Sequence, residues 1–255
     1  MSTGATLSVR DVTVRFGGVV ANQDVTLTAE PGQITALIGP NGAGKTTFIN
    51  AVTGFVRSRG RVQVGDTDIS DLPPHIRRRF GLARTWQAGE LFEALSILDN
   101  VRVADEASGV RWLARDLLPR SEQQAESALS LLGRVGLAAE ADRYPDELSL
   151  GQQRLVGVAR ALAGEPRVLL LDEPAAGLDS DESATLGRQL QEIAAEGSTI
   201  LLVDHDMSLV FSVAHQVYVL DFGQVIAAGP PEVVQKDQKV IEAYLGSPVL
   251  MEEGA

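Results

Sequence analysis

The sequence contains no cysteine among its 255 residues, so no disulfide framework can hold the fold together. A reducing compartment such as the cytoplasm suits such a chain. The N-terminus has no basic stretch followed by an apolar run, and we expect no signal peptide. The longest apolar runs, such as Val168 to Leu171, are too short to span a bilayer. We therefore expect a soluble cytoplasmic chain that reaches a membrane only through a partner.

Positive charge is also scarce, since the formal net charge is -12 and lysine occurs only at positions 45, 236 and 239. Proteins that bind nucleic acid favour a basic face, so we expect no nucleic-acid partner. The one tight basic run is Arg77, Arg78 and Arg79, which we interpret as a solvated helix face. Hydrophobic residues make up 44% of the chain, enough for the core of one large domain.

Apolar alternation predicts strands in the N-terminal part of the chain. Leu7 to Phe16 alternates with one phase slip at Asp11, which predicts a strand with a bulge. A short buried strand is predicted at Ile34 to Ile38, followed by a glycine-rich loop and a helix from Lys45 to about Thr53. Residues flanking Gly65 are typical of a hairpin.

From about Leu91 to Leu162 the pattern becomes helical. One predicted helix carries an apolar stripe along one face, with successive apolar residues four, three and three positions apart: Ala125, Leu129, Leu132 and Val135. Strands and helices then alternate. We predict strands at Val168–Asp172, Thr199–Val203 and Val217–Leu220, and helices at Asp179–Ala195 and Met207–Val213. This order favours a mainly parallel sheet with helices on its faces.

A phosphate-binding loop follows the predicted strand at Ile34 to Ile38. Its residues fit the pattern G-x-x-x-x-G-K-[ST] and are Gly39, Pro40, Asn41, Gly42, Ala43, Gly44, Lys45 and Thr46, with Thr47 next in the helix. Glycines let the backbone N–H groups converge on anionic oxygens, and the helix presents its positive end to them. Lys45 supplies charge for the β- and γ-phosphates of ATP, and the Thr46 hydroxyl is placed to ligate Mg²⁺.

An acidic pair ends the predicted strand at Val168–Asp172. Ligands bind at the carboxyl ends of strands in open parallel sheets, which brings Asp172 towards the phosphate loop. Asp172 is therefore a candidate ligand of Mg²⁺, directly or through water. Glu173 is the candidate base, or orienting group, for the water that attacks the γ-phosphate.

Five further segments resemble motifs of the ABC ATPases, and they occur in that family's order. They are Phe16 at the adenine-stacking position, Gln87 of the Q-loop, Leu148 to Gln153 of the signature motif, Ala176 to Asp179 of the D-loop, and the switch histidine His205. Phe16 has strand core as its alternative interpretation. The fold expected is a P-loop NTPase core with a mainly parallel sheet, an antiparallel β subdomain and an inserted helical subdomain.

The resemblance implies roles for these residues. Family members pair head to tail with ATP between them, so Ser149, Gly151 and Gln152 would serve the nucleotide of the other subunit. His205 would contact the γ-phosphate in its own subunit, and Gln87 would reach the Mg²⁺ or the water. Asp179 would lie across the dimer interface.

Local segments, among them Phe16 to Ala21, Leu91 to Val101 and Glu242 to Gly246, look like the ATPases of branched-chain amino-acid importers. That subfamily includes relatives serving urea or short amides, and an ATPase of lipopolysaccharide export. The implied partners are transmembrane permease subunits, a second ABC ATPase that is identical or related, and indirectly a solute-binding protein. A non-transport ABC ATPase and an ATP sensor without hydrolysis are the remaining alternatives.

The resemblance also predicts the domain organisation. We expect a single ABC ATPase domain over residues 1–250 and a tail at 251–255. Within that domain, residues from about 7–87 and 163–246 would form the nucleotide-binding core, and about 88–162 the helical subdomain. The departures from the family pattern are Trp86, Leu150 and Asp204, and none of them removes a catalytic group.

Overall fold

The computed structural model describes residues 4–85, 91–106 and 122–245. Ten strands lie in these ranges: β1 Leu7–Phe16, β2 Val19–Ala29, β3 Ile34–Ile38, β4 Arg59–Val64, β5 Thr67–Asp68, β6 Leu82–Arg84, β7 Val168–Asp172, β8 Thr199–Val203, β9 Gln216–Asp221 and β10 Gln224–Gly229. They form two sheets, one with four strands and one with six.

The four-stranded sheet is antiparallel and has the order β2-β1-β4-β5. The predicted bulge in β1 is confirmed, because the register shifts between Val9 and Val12 and Asp11 has a φ of 52°. The predicted hairpin around Gly65 is confirmed by the antiparallel pairing of Val64 with Thr67.

The six-stranded sheet has the order β10-β9-β3-β8-β7-β6 and is parallel except for its edge pair β9–β10. Strands β3, β7 and β8 are fully buried. Asp172, the last residue of β7, is in register with Val203, the last residue of β8. The segments that follow β3, β7 and β8 therefore leave the sheet from one edge, as the sequence predicted.

The helices in the described ranges are α1 Lys45–Val52, α2 Pro74–Arg79, α3 Ile97–Glu106, α4 Glu122–Arg134, α5 Leu150–Leu162, α6 Ser180–Ala195, α7 Met207–Val213, α8 Pro231–Val234 and α9 Gln238–Leu245. None of these is both long and apolar enough to cross a membrane. The predicted stripe on α4 is wrong at Leu129, which is exposed, because the buried positions are Ala128, Leu132 and Val135.

Alternating residues of the six-stranded sheet enter two different cores. Ile34, Ala36 and Ile38 pack with the helices α3 to α7. Leu37 and Leu170 point to the other side, where α1 and the four-stranded sheet cover them. The period-2 alternation of a strand thus buries both faces of the central sheet, which explains why β3, β7 and β8 are mostly apolar along their whole length.

One predicted surface residue is buried. The expectation that the basic run forms a solvated helix face is wrong for Arg77, although Arg78 and Arg79 are exposed. The Arg77 guanidinium donates to the carbonyls of Ala51 and Val52 at the end of α1, at 3.0 and 2.7 Å. No local sequence pattern indicates this burial, because the two acceptors lie 26 and 25 residues away in the sequence.

Candidate functional site

The loop between β3 and α1 follows a path that only glycine permits at two positions. Gly39 has a φ of 155°, and a Cβ there would lie 2.0 Å from the carbonyl oxygen of Leu220. Gly44 has a φ of 101°, and a Cβ there would lie 2.6 Å from the carbonyl oxygen of Ala21. The buried Asn22 closes the same turn by donating its amide to the Gly44 carbonyl at 3.2 Å.

Helix α1 begins without a side-chain cap and without an acidic residue in its first turn. The neighbouring helices α5, α6 and α7 are each capped by a side-chain oxygen, from Ser149, Asp179 and Asp206. An uncapped N-terminus leaves N–H groups and the positive helix end for an anion. Around it, Asn41, Gly42 and Thr46 are exposed, Pro40, Gly44 and Thr47 are half-buried, and Ala43 is buried.

Lys45 lies across the loop rather than in solvent. Its Nζ donates to the carbonyls of Gly39 and Pro40 at 2.6 and 3.1 Å. Burial lowers the pKa of Lys45, while the carboxylates of Glu173 and Asp172 act in the opposite direction. The ammonium group is thus held at the loop by contacts with backbone oxygens and by the field of the acidic pair.

Asp172 is buried and paired with a residue that the sequence did not single out. Its Oδ2 lies 2.6 Å from the Arg84 guanidinium, with side-chain exposures of 0% and 8%. Burial raises the pKa of Asp172, and the hydrogen bond and charge of Arg84 oppose that rise. Among the described residues, Oδ1 of Asp172 has no hydrogen-bond partner. One carboxylate oxygen is therefore free to bind a metal ion or its water.

Glu173 has an unusual backbone for a glutamate. Its φ is 49°, in the left-handed region that favours glycine, and its N–H donates to the Val203 carbonyl at 2.7 Å. The side chain is partly exposed, next to the buried Asp172. Strained backbone of this kind clusters at functional sites, because surrounding contacts hold a side chain in a required direction.

Asp204 organises the turn after β8, a role that the sequence did not predict. Its buried carboxylate accepts the N–H groups of Ala175, His205 and Asp206 at 2.9, 2.7 and 3.0 Å. It therefore joins the segment after β7 to the segment after β8. The His205 imidazole is exposed, with Nδ1 3.6 Å from Asp204, and can reach a ligand.

The signature segment begins α5 with a reciprocal cap. The Ser149 hydroxyl accepts the Gln152 N–H at 3.2 Å, and the Gln152 side chain accepts the Ser149 N–H at 3.0 Å. The Gly151 N–H donates to Glu182 of α6 at 3.3 Å. A Cβ at Gly177 would lie 2.9 Å from Leu150, so the D-loop packs directly on the signature segment.

Phe16 is 53% exposed at the β1–β2 turn, so its alternative interpretation as strand core is wrong and its ring is available for stacking. Gln87 lies outside the described residues. The sequence missed Tyr244 of α9, a buried side chain whose pKa is raised by burial.

The residues present fit an ATP molecule with its magnesium ion. The uncapped helix and Lys45 suit phosphate oxygens, and the free oxygen of Asp172 suits a hard cation. Within the described ranges, no group of three or more histidine or acidic side chains could hold a metal ion alone. Magnesium characteristically binds through one or two protein oxygens together with nucleotide phosphates, so a sparse protein ligand set is expected.

Known families and structures match this chain over most of its length. The ABC transporter family model matches residues 22–176, and a branched-chain amino acid ATP-binding cassette transporter model matches residues 224–249. The chain is 38% identical over 248 residues to the high-affinity branched-chain amino acid transport ATP-binding protein LivG of Escherichia coli, covering 94% of this chain and 97% of the relative.

Two solved structures share the fold. One is the ADP conformation of an ATP-binding cassette of an ABC transporter, with a TM-score of 0.86, 31% identity and coverage of 96% of this chain and 100% of that one. The other is a dimeric post-hydrolysis cassette bound to ADP and phosphate, with a TM-score of 0.73, 25% identity and coverage of 88% and 98%. The predicted fold and family are confirmed, and the chain belongs to the ABC transporter family as an ABC ATPase.

Proposed function

We propose that this chain hydrolyses ATP to power the import of branched-chain amino acids across the cytoplasmic membrane. The observation that carries the proposal is the uncapped helix α1 after the phosphate loop at the sheet edge, with the buried Asp172 at the end of β7 and the strained Glu173 after it. The substrate class is supported by the LivG relative and by the match of residues 224–249 to the branched-chain cassette model.

Nucleotide binding is assigned to the loop and to the β1–β2 turn. Phe16 would stack on adenine, and Lys45 would turn its ammonium from the loop carbonyls to the β- and γ-phosphates. The N–H groups at the start of α1 would receive phosphate oxygens. Thr46, Asp172 and Gln87 are the proposed contacts of Mg²⁺, which neutralises charge on the phosphates when bound.

Hydrolysis is assigned to Glu173 and His205. The Glu173 carboxylate would accept a hydrogen bond, and then a proton, from the attacking water. Its backbone, fixed by the Val203 carbonyl, keeps the side chain at the end of β7. The exposed His205 would donate to a γ-phosphate oxygen, and the contact between Asp204 and the His205 N–H fixes the turn that carries it.

A complete site requires a second ATPase chain, identical or related. Ser149, Gly151 and Gln152 would face the γ-phosphate held by the neighbour, and Asp179 would lie at the interface. The solved dimer of a related cassette, bound to ADP and phosphate, supports the same pairing.

The membrane permease would dock near residues 89–100, next to Gln87, on the cytoplasmic face of the membrane. Phe92 is exposed there, whereas Leu91 and Ile97 are buried and belong to the core. The segment borders an open groove of about 570 Å³ that carries more acidic than basic side chains. Its lining residues are Glu93, Ala139, Asp142, Arg143, Tyr144, Asp146 and Glu147. A permease helix with basic residues would suit this groove.

The hydrolytic assignment is tested with Glu173→Gln. The amide keeps the shape of the side chain but accepts no proton, so turnover should fall by on the order of 100-fold or more while ATP still binds. Glu165→Gln is a matched control, because Glu165 is exposed and also has a positive φ, of 45°. Its turnover should be unchanged. Wild-type turnover in Glu173→Gln would place the base elsewhere.

The transport assignment is tested in vesicles that contain the permease, both ATPase chains and an external solute-binding protein. ATPase activity should rise when the binding protein carries leucine and should stay at the basal rate without leucine. A response only to a lipid substrate moving outward would contradict import, while the ATPase assignment would stand.

A further inference from the structure

Arg84 is a buried cation that none of the recognised motifs uses. It is the last residue of β6, where it is in register with Leu170 of β7. Its side chain is only 8% exposed, so the guanidinium lies inside the protein rather than in solvent. An arginine is rarely buried unless it is paired, and two partners of Arg84, Asn50 and Asp172, belong to the candidate site.

The guanidinium joins the two halves of the site. One amino group bonds Oδ2 of Asp172 at 2.6 Å, and the other donates to Oδ1 of Asn50 at 2.6 Å. Asp172 ends β7, and Asn50 belongs to α1, which follows the phosphate loop. Because the fork of an arginine is planar and rigid, two anchored ends fix the direction of the bond to Asp172.

Asp172 is consequently held at its side chain and at its backbone. Its Oδ2 is committed to Arg84, and its backbone N–H donates to the Thr85 hydroxyl at 3.2 Å. Its Oδ1 is buried and has no hydrogen-bond partner in the described part of the chain. A buried carboxylate oxygen without a partner is costly, and a cation or a cation-bound water would satisfy it.

We propose that Arg84 is a positioning residue for the metal of this site, with Asn50 as its brace. By occupying Oδ2, Arg84 leaves Oδ1 of Asp172 for the magnesium ion or for a water bound to that ion. The role resembles that of outer-shell partners, which orient a metal ligand without touching the metal. The inference rests on the proposed binding of magnesium and ATP.

Two variants that keep all charges near the metal test this role. Arg84→Lys keeps the cation but loses the fork, and Asn50→Ala removes only the brace. Binding of Mn²⁺ is measured by electron paramagnetic resonance on the complex with a non-hydrolysable ATP analogue. Binding of the same analogue without metal ions is measured separately, in the presence of a metal chelator. Arg84→Lys should weaken Mn²⁺ binding about 10-fold or more, and Asn50→Ala less, with metal-free analogue affinity within about 2-fold.

The control is Arg61→Lys, the same substitution in the exposed ion pair with Asp68, and it should change neither affinity. Unchanged Mn²⁺ affinity in both Arg84→Lys and Asn50→Ala would overturn the inference. An equal loss of metal-free and metal-dependent binding would also overturn it, because that result indicates general damage. If the unaltered protein bound no analogue, the proposed function itself would fail.

Discussion

Replacing Arg77 by methionine tests how the phosphate-loop helix is held at its far end. The guanidinium donates to four carbonyls, those of Ala51 and Val52 in α1 and those of Ser70 and Leu72 before α2. Methionine fills the space of the stem but donates no hydrogen bond. Each bond from a charged donor contributes about 1.5–3 kcal/mol, and bonds in one network are not additive.

We therefore expect Arg77→Met to lower the free energy of unfolding by about 3–5 kcal/mol, because four backbone carbonyls lose their charged donor. The midpoint of thermal unfolding should fall by roughly 10 °C in a chain of this size. Urea unfolding followed by circular dichroism measures the free energy, and Arg79→Met, an exposed neighbour, should change it by less than about 0.5 kcal/mol. A loss below about 1 kcal/mol for Arg77→Met would refute the anchoring role.

Three other substitutions test the site. Lys45→Ala should weaken ATP binding about 10- to 100-fold, measured with a fluorescent analogue, because a charge-assisted contact is lost; unchanged affinity would exclude this loop. Ser149→Arg should keep ATP binding in the single chain but abolish turnover of the paired enzyme, and full turnover would contradict a shared site. Gly177→Ala should destabilise the fold by about 1–3 kcal/mol through its φ of 81° and its clash with Leu150. In the double variant with Leu150→Ala, only the part of the destabilisation caused by the clash should be recovered. An unchanged free energy of unfolding in Gly177→Ala would mean that the D-loop adapts freely.

The parts of the site that the sequence predicted are those encoded locally. Strands β3, β7 and β8 have the predicted bounds because continuous apolar runs end at a glycine or at an acidic residue. The positions of Asp172 and Glu173 at a strand end follow directly from that pattern. The domain boundaries and the roles of Gln87 and Ser149 stay predictions.

The parts that the sequence missed depend on partners distant along the chain. Arg84 pairs with Asp172 across 88 residues and with Asn50 across 34, so no periodicity identifies it as buried. In the sequence, Asp204 is distinguished only as a departure from the family pattern. Its three N–H contacts exist because two separate strands end at one edge of the sheet. Composition favours the surface for such charged residues, and tertiary pairing overrides that preference.

The left-handed backbone of Glu173 has a consequence for laboratory selection. A glutamate in this conformation costs about 1–2 kcal/mol relative to glycine or asparagine, which adopt it readily. A library screened only for heat resistance should therefore enrich asparagine or glycine at position 173. Survivors of such a screen would retain the fold but lose the carboxylate proposed to activate water, so a thermostability screen would select against catalysis at this position.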